Sequence, residues 1–286
     1  DKSSERNIED FKIALVHDAR LNRHRHPKHS HIESPDRIAA ILSELAFQRV
    51  LNRCSMIPAN VIEEDDLLKV HSKYYINRLH SLGRLPKGVI EEEAEEYESV
   101  FMNEYSVDCA LIAAGGLVNL TDYVLRGTFR SGFALIRPPG HHADTHGPKG
   151  FCLLNNVAIA ANYSLSKGAE RVLIVDWDVH HGNGTQTTFY SNSAIMYCSI
   201  HRFDGGRFFP CGSLGSPKSV GEGEGAGYNV NIGWEGGGAG DKEYLRAIQS
   251  VILPLAREFC PDIVIVSAGF DASSADNSLG GCRVTP

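Results

Sequence analysis

Short runs of branched apolar residues return along most of this chain, separated by stretches with helical periodicity, and that recurrence limits the fold more than any other feature. KIALVH (12–17), GFALIR (132–137), RVLIVDW (171–177), AIMYCSI (194–200), YNVNIGW (228–234) and DIVIVSA (262–268) each read as a strand. The continuously apolar runs imply burial on both faces, the condition of a strand inside a parallel sheet. Ser34-Pro35 offers a cap and first-turn proline for a helix reaching Gln48, with Ile38, Ile41, Leu42 and Leu45 on one face. Asp241 starts another, in which Tyr244, Ile248, Val251, Ile252, Leu255 and Phe259 share a side and Pro254 marks a bend. Alternating strands and helices specify the α/β class, expected here as a single-domain parallel β-sheet flanked by helices on both faces. Functional groups in such sheets gather at the carboxyl ends of the strands.

Composition narrows the function. The formal charge of −7 and pI near 6.0 give no sign of direct nucleic-acid binding. The 7 cysteines are scattered without a CxxC pair, which argues against a disulfide framework and a cysteine zinc module and fits a reducing compartment. DKSSERNIEDFK at the start lacks the pattern of a signal peptide, and no apolar run is expected to reach the roughly 18 residues of a membrane span, so a soluble intracellular protein is expected. GEGEGAG (221–227) and WEGGGAG (234–240) read as turns; neither has nucleotide-binding spacing after a strand. EEEAEEYE (91–98) reads as a solvated acidic helix face.

The chemistry concentrates in VDWDVHHGNG (175–184). If the strand continues, period-2 spacing puts Asp176, Asp178 and His180 on one face at its carboxyl end. Two neighbouring carboxylates are costly to bury unless a cation or hydrogen bonds offset their repulsion. A divalent metal does so, and a catalytic zinc site usually has three protein ligands and an open position. VSAGFDA (266–272) supplies Asp271 at another strand end as the third. RPPGHHA (137–143) adds His141 and His142 just after a strand, a residue type suited to taking and giving protons near neutral pH. Asp176 close to a histidine would fix its tautomer and favour its charged form, whereas Asn183 would orient one without raising its pKa much.

RPPGHHA, GFCLLNNVAIAA, VLIVDWDVHHGNGTQ, HRFDGGRFFP and VSAGFDA, in this order, closely resemble the zinc-dependent histone deacetylases, most of all their class II branch. The resemblance covers residues 12 to 286 and implies the arginase/deacetylase fold and hydrolysis of N6-acetyl-lysine, on histones or other proteins, to lysine and acetate. It makes Asp178, His180 and Asp271 the Zn2+ ligands, His141 the charged histidine held by Asp176, and His142 the general base and acid oriented by Asn183. Gly150, Phe151 and Phe209 fall in the substrate tunnel, whose apolar walls suit a four-carbon stem. Structural K+ is implied at Asp176, Asp178, His180, Ser199 and Ile200. Glu98 is the candidate rim acid. Leu279 stands where polyamine-specific relatives carry an acid. Nucleus or cytoplasm and a corepressor complex follow as expected settings.

The same family completes its oxyanion stabiliser with a tyrosine or histidine in a glycine-rich motif that the chain, ending LGGCRVTP, does not reach, so the domain is expected to lack its C-terminal part after residue 286. An acetylpolyamine amidohydrolase and a catalytically impaired deacetylase-like scaffold stand as alternatives. RHRHPKHSH (23–31), with His24, His26, His29 and His31, reads as a polar loop on the substrate side, with accessory metal binding as the alternative.

Overall fold

Among the described residues every pairing between the named strands is parallel. The computed structural model describes residues 13–276 and 280–286. In chain order the elements are β1 (Ile13–Val16), α1 (Asp36–Phe47), β2 (Cys54–Ile57), α2 (Glu64–Leu67), α3 (Lys73–Leu82), α4 (Lys87–Glu95), α5 (Ser106–Leu125), β3 (Gly132–Ala134), α6 (Asn156–Ser166), β4 (Val172–Asp176), α7 (Asn183–Phe189), β5 (Ile195–Arg202), β6 (Asn229–Trp234), α8 (Asp241–Ala247), α9 (Leu253–Phe259) and β7 (Ile263–Ser267).

The expected α/β architecture of parallel strands flanked by helices holds, with the strand pairing divided among the described residues into two parallel groups, in the orders β2-β1-β3 and β6-β5-β4-β7. β2 was not expected, because CSMI is an edge strand whose Met56 is exposed and whose sequence lacks an apolar run. β7 is continuously apolar in sequence yet only Ile263 and Ile265 are buried, while Val264 and Val266 face outward at a sheet edge. β4 is one of two interior strands of its sheet and is buried at all five positions. Its alternation feeds two cores: Val172 and Ile174 join Leu153, Ile159 and Tyr197 on one face, and Leu173 and Val175 join Met196, Ile252 and Phe259 on the other.

The helices follow their predicted faces with three adjustments. Ser34 Oγ accepts the Asp36 N–H at 3.2 Å, but only Ile38 of α1 is fully buried; Ile41, Leu42 and Leu45 are half-covered, so the helix lies on the surface. The Asp241 helix changes to one π turn at Ile248–Ile252 just ahead of Pro254, which falls in the first turn of α9. α5, at 20 residues, is long and apolar enough to cross a bilayer, contrary to expectation. Its Ala110, Ala113 and Ala114 are buried within the protein core, as a central helix requires. The acidic run lies on α4, with Ile90 and Ala94 inward, Glu95 paired to Lys28 at 2.9 Å and Glu93 paired to Arg78. All seven cysteines are free.

Candidate active site

β4 ends at Asp176, so the expected strand continuation is corrected: Trp177–His180 turn away from the sheet. Hydrogen bonds set the turn. Asp178 Oδ1 accepts the His180 N–H at 2.8 Å, and Asp271, from the turn after β7, accepts the Val179 N–H at 2.8 Å. Two neighbouring strand ends are thereby laced together. As a result one ligand atom from each of Asp178, His180 and Asp271 lies within 4.8 Å of the others, and all three residues are half-buried. His180 Nδ1 sits 3.0 Å from Asp178 Oδ1 and 2.9 Å from Asp271 Oδ2.

The electrostatics of this cluster favour positive charge between its two carboxylates. Burial opposes charge on His180, yet the flanking carboxylates outweigh it and push its pKa up to about 10. Burial and the Asp178 charge raise the Asp271 carboxyl, while His141 and His180 outweigh burial and hold Asp178 below its ordinary range. Two carboxylates and one imidazole nitrogen form a donor set that suits Zn2+.

The paired histidines differ in what supports them. His141 Nδ1–H donates to Asp176 Oδ2 at 2.9 Å; burial resists its charging, but Asp176 and Asp178 prevail and raise it to about 9. Tyr197, in register with Ile174 across the β4–β5 ladder, sets its hydroxyl 3.0 Å from the same Asp176 oxygen. His142 Nδ1–H donates to Asn183 Oδ1 at 2.8 Å, where α7 begins. Burial and the nearby His141 charge hold His142 well below the ordinary histidine value, so Nε2 keeps a free lone pair. His181, which the sequence left without a chemical role, is buried and donates Nε2–H to Gln186 Oε1 at 2.8 Å.

Aromatic rings surround these groups. Phe209 meets the His142 ring edge-on at 5.0 Å, and Phe208 stacks on His180 at 5.1 Å. A Cβ on Gly150 would lie 2.5 Å from His142 Cδ2 and 3.0 Å from Phe209, and its φ of +51° is one glycine tolerates, so this close approach requires a glycine. Phe151 follows, edge-on to His31 at 4.9 Å. Glu98 stands beside this loop: its carbonyl accepts the Gly150 N–H at 3.0 Å and its carboxylate pairs with Lys149 at 2.8 Å. Asp176 is in register with Ser199, whose hydroxyl lies 2.8 Å from His201 Nδ1, and Ile200 is buried next in β5. Leu279 lies outside the described residues.

Residues 31–286 match the histone deacetylase domain model. The chain belongs to the histone deacetylase family. Histone deacetylase 5 of Arabidopsis thaliana is 42% identical over 281 residues, covering 96% of this chain and 42% of that protein. Polyamine deacetylase HDAC10 of Rattus norvegicus is 41% identical, over 89% of this chain and 43% of its own length. The crystal structure of the HDA15 HD domain is similar at a TM-score of 0.89 and 42% identity, covering 97% of this chain and 76% of that one. The chain thus spans less than half the length of these two curated relatives. Its relatives are class II-like members of the histone deacetylase family, a family of hydrolases.

Sequence reasoning missed Tyr197, Phe208 and His71. His71 Nδ1–H donates to the Asp144 carbonyl at 2.7 Å and its Nε2 accepts the Asn155 N–H at 3.0 Å, tying the His141–His142 loop to the start of α6. The histidines of 23–31 form a ring stack. His24 is buried, stacks on Phe101 at 4.6 Å and lies 2.7 Å from Ser106 Oγ. His26 and His31 accept backbone N–H groups at Nδ1, which leaves the proton of each neutral ring on Nε2 and opposes accessory metal binding there. Only Asp178, His180 and Asp271 converge as a metal-capable group of three among the described residues.

Proposed function

We propose that this chain carries a zinc-dependent protein lysine deacetylase domain that hydrolyses N6-acetyl-lysine to lysine and acetate. The observation that carries this reading is the contrast between the two histidines, one held by a carboxylate and the other by an amide, beside a three-residue metal-capable cluster. Asp178, His180 and Asp271 would hold Zn2+, which supplies Lewis-acid polarisation of the amide carbonyl and lowers the pKa of water. His142, neutral and with Nε2 free, accepts a proton from the attacking water and returns it to the departing lysine amine. His141, charged through Asp176, stabilises negative charge developing on the carbonyl oxygen. Phe151 and Phe209 flank the aliphatic stem, Gly150 leaves room for it, and Glu98 receives the substrate backbone at the rim. Buried oxygens of Asp176 and Ser199, with main-chain oxygens of Asp178, His180 and Ile200, would hold K+.

Similarity to polyamine deacetylase HDAC10 favours a second reading, deacetylation of acetylated polyamines. Leu279 counts against it by resemblance, since it stands in the sequence where polyamine-specific relatives carry an acid. Acetate release from an acetyl-lysine peptide and from N8-acetylspermidine, measured side by side on the full protein, decides between them. The protein reading expects the peptide to have the higher kcat/KM; faster turnover of the polyamine overturns it.

A further inference from the structure

Although the chain is acidic, a basic basin lies among its described residues. A cavity of about 370 Å³ is lined by Asn22, Arg23, Arg25, His26, Lys87 and Tyr105, with Glu104 as its one carboxylate. Arg23 rests its guanidinium 3.5 Å over the Tyr105 ring, Arg25 donates only to the Asn22 carbonyl at 3.3 Å, and Lys87 opens α4. Neighbouring ion pairs engage Arg20, Lys28 and Arg137 instead, and Arg23, Arg25 and Lys87 have no carboxylate partner among the described residues. Three permanent cations and one carboxylate line the basin; Glu91 on α4 acts on His26 and Asp108 lies on the far side of Arg23, and the wall itself keeps an excess of positive charge that its concavity focuses. The basin also touches the tunnel side. His26 stacks on His31 at 5.5 Å between ring centroids, and His31 meets Phe151 at 4.9 Å. Two ring contacts correspond to roughly three residues of extended chain at about 3.3 Å each.

We propose that this basin binds a phosphate monoester carried by the substrate polypeptide within a few residues of the acetylated lysine. A phosphoserine brings a charge of about −1.5 to −2 and three acceptor oxygens, enough to engage two of the unpaired cations together, which one carboxylate does less well. Free orthophosphate shares this chemistry but has no reason to lie beside the tunnel. The proposal rests on the deacetylase reading of the adjoining site.

Fluorescence anisotropy on the full protein tests it, with labelled acetyl-lysine peptides bearing serine or phosphoserine two to four residues to either side. A third peptide set keeps phosphoserine and leaves the lysine unmodified. Phosphoserine at one offset is expected to tighten binding about fivefold in roughly 0.05 M salt, with the gain fading toward 0.5 M as screening grows. The phosphoserine gain is expected to vanish in Arg25→Gln/Lys87→Gln and to halve or better in Lys87→Gln alone, with circular dichroism verifying that both fold. The unmodified-lysine phosphopeptide separates the two claims: if it binds in a basin-dependent way while the acetyl-lysine peptides release no acetate, the basin stands and the deacetylase reading falls. Equal binding of serine and phosphoserine peptides at every offset overturns the proposal, as does a gain that survives the double variant. Basin-dependent competition by orthophosphate without any phosphopeptide gain assigns the site to a free anion and also overturns it.

Discussion

Acid should unlock the active-site loop through His71, a residue outside the reacting groups. Its ring is 1% exposed, donates Nδ1–H to the Asp144 carbonyl and accepts the Asn155 N–H at Nε2. Both nitrogens are therefore committed to the neutral tautomer, and a proton added at Nε2 would face an N–H. Burial dominates and pushes the pKa down from 6.5 to about 4, although the Asp144 carbonyl pulls the other way. The unfolded chain keeps the ordinary value. Between these limits the unfolded state binds the proton and the folded state does not, so the stabilisation is complete above about 6.5 and is lost as pH falls toward 4. The full span is worth roughly 3 kcal/mol, of which about 2 kcal/mol is gone by pH 5. His71→Gln removes the titration while leaving a donor and an acceptor on a side chain of similar reach. Urea unfolding of both proteins at pH 7.5 and pH 5 gives the comparison: the wild-type chain should lose about 2 kcal/mol more than the variant over that interval. His181 and His201, also depressed by burial to about 4 and about 3, contribute equally to both proteins and cancel. Parallel pH slopes would refute the reasoning.

Other perturbations report on the site itself. Asp271→Ala and Gly269→Ala should each abolish stoichiometric Zn2+ retention measured by mass spectrometry, the first by removing a ligand and the second because its new Cβ would lie 2.1 Å from Asp178 Oδ2; a fully loaded Gly269→Ala protein contradicts the geometry. His142→Ala should retain the metal and lower kcat by roughly 10²- to 10⁴-fold, the usual contribution of a general base, and unchanged turnover would remove its assigned role. Arg137 is 0% exposed, donates Nε–H to Glu33 Oε1 at 2.9 Å and pairs again with the same carboxylate through Nη2. Arg137→Leu strands a buried carboxylate and should cost roughly 3–5 kcal/mol in urea unfolding, with Arg137→Leu/Glu33→Gln recovering much of it.

What the chain disclosed in sequence depended on how local each determinant is. The buried strand β4 and the helix faces follow from periodicity, because neighbours along the chain decide them. β2 and the outward face of β7 do not, since whether an apolar residue is covered there depends on which strand lies alongside. His71 and Tyr197 stayed hidden for a related reason: their partners are 73 and 21 positions away, and a single ring in an apolar segment looks like core. The paired aspartates mark the limit most clearly. Period two gives Asp176 and Asp178 the same face and the same chemistry, and only family resemblance separates their roles. The end of strand pairing gives the physical difference. Asp176 still belongs to β4, in register with Ser199 and Ser267, so its carboxylate is driven fully inside against His141 and Tyr197. Two residues later the ladder has stopped, the backbone turns, and Asp178 swings to the half-buried margin where Asp271 arrives from the next strand. A buried carboxylate can tune a histidine but is closed to substrate, while a marginal one can hold an ion that must remain reachable. The division of labour proposed for these two identical side chains thus follows from where one strand runs out of partners.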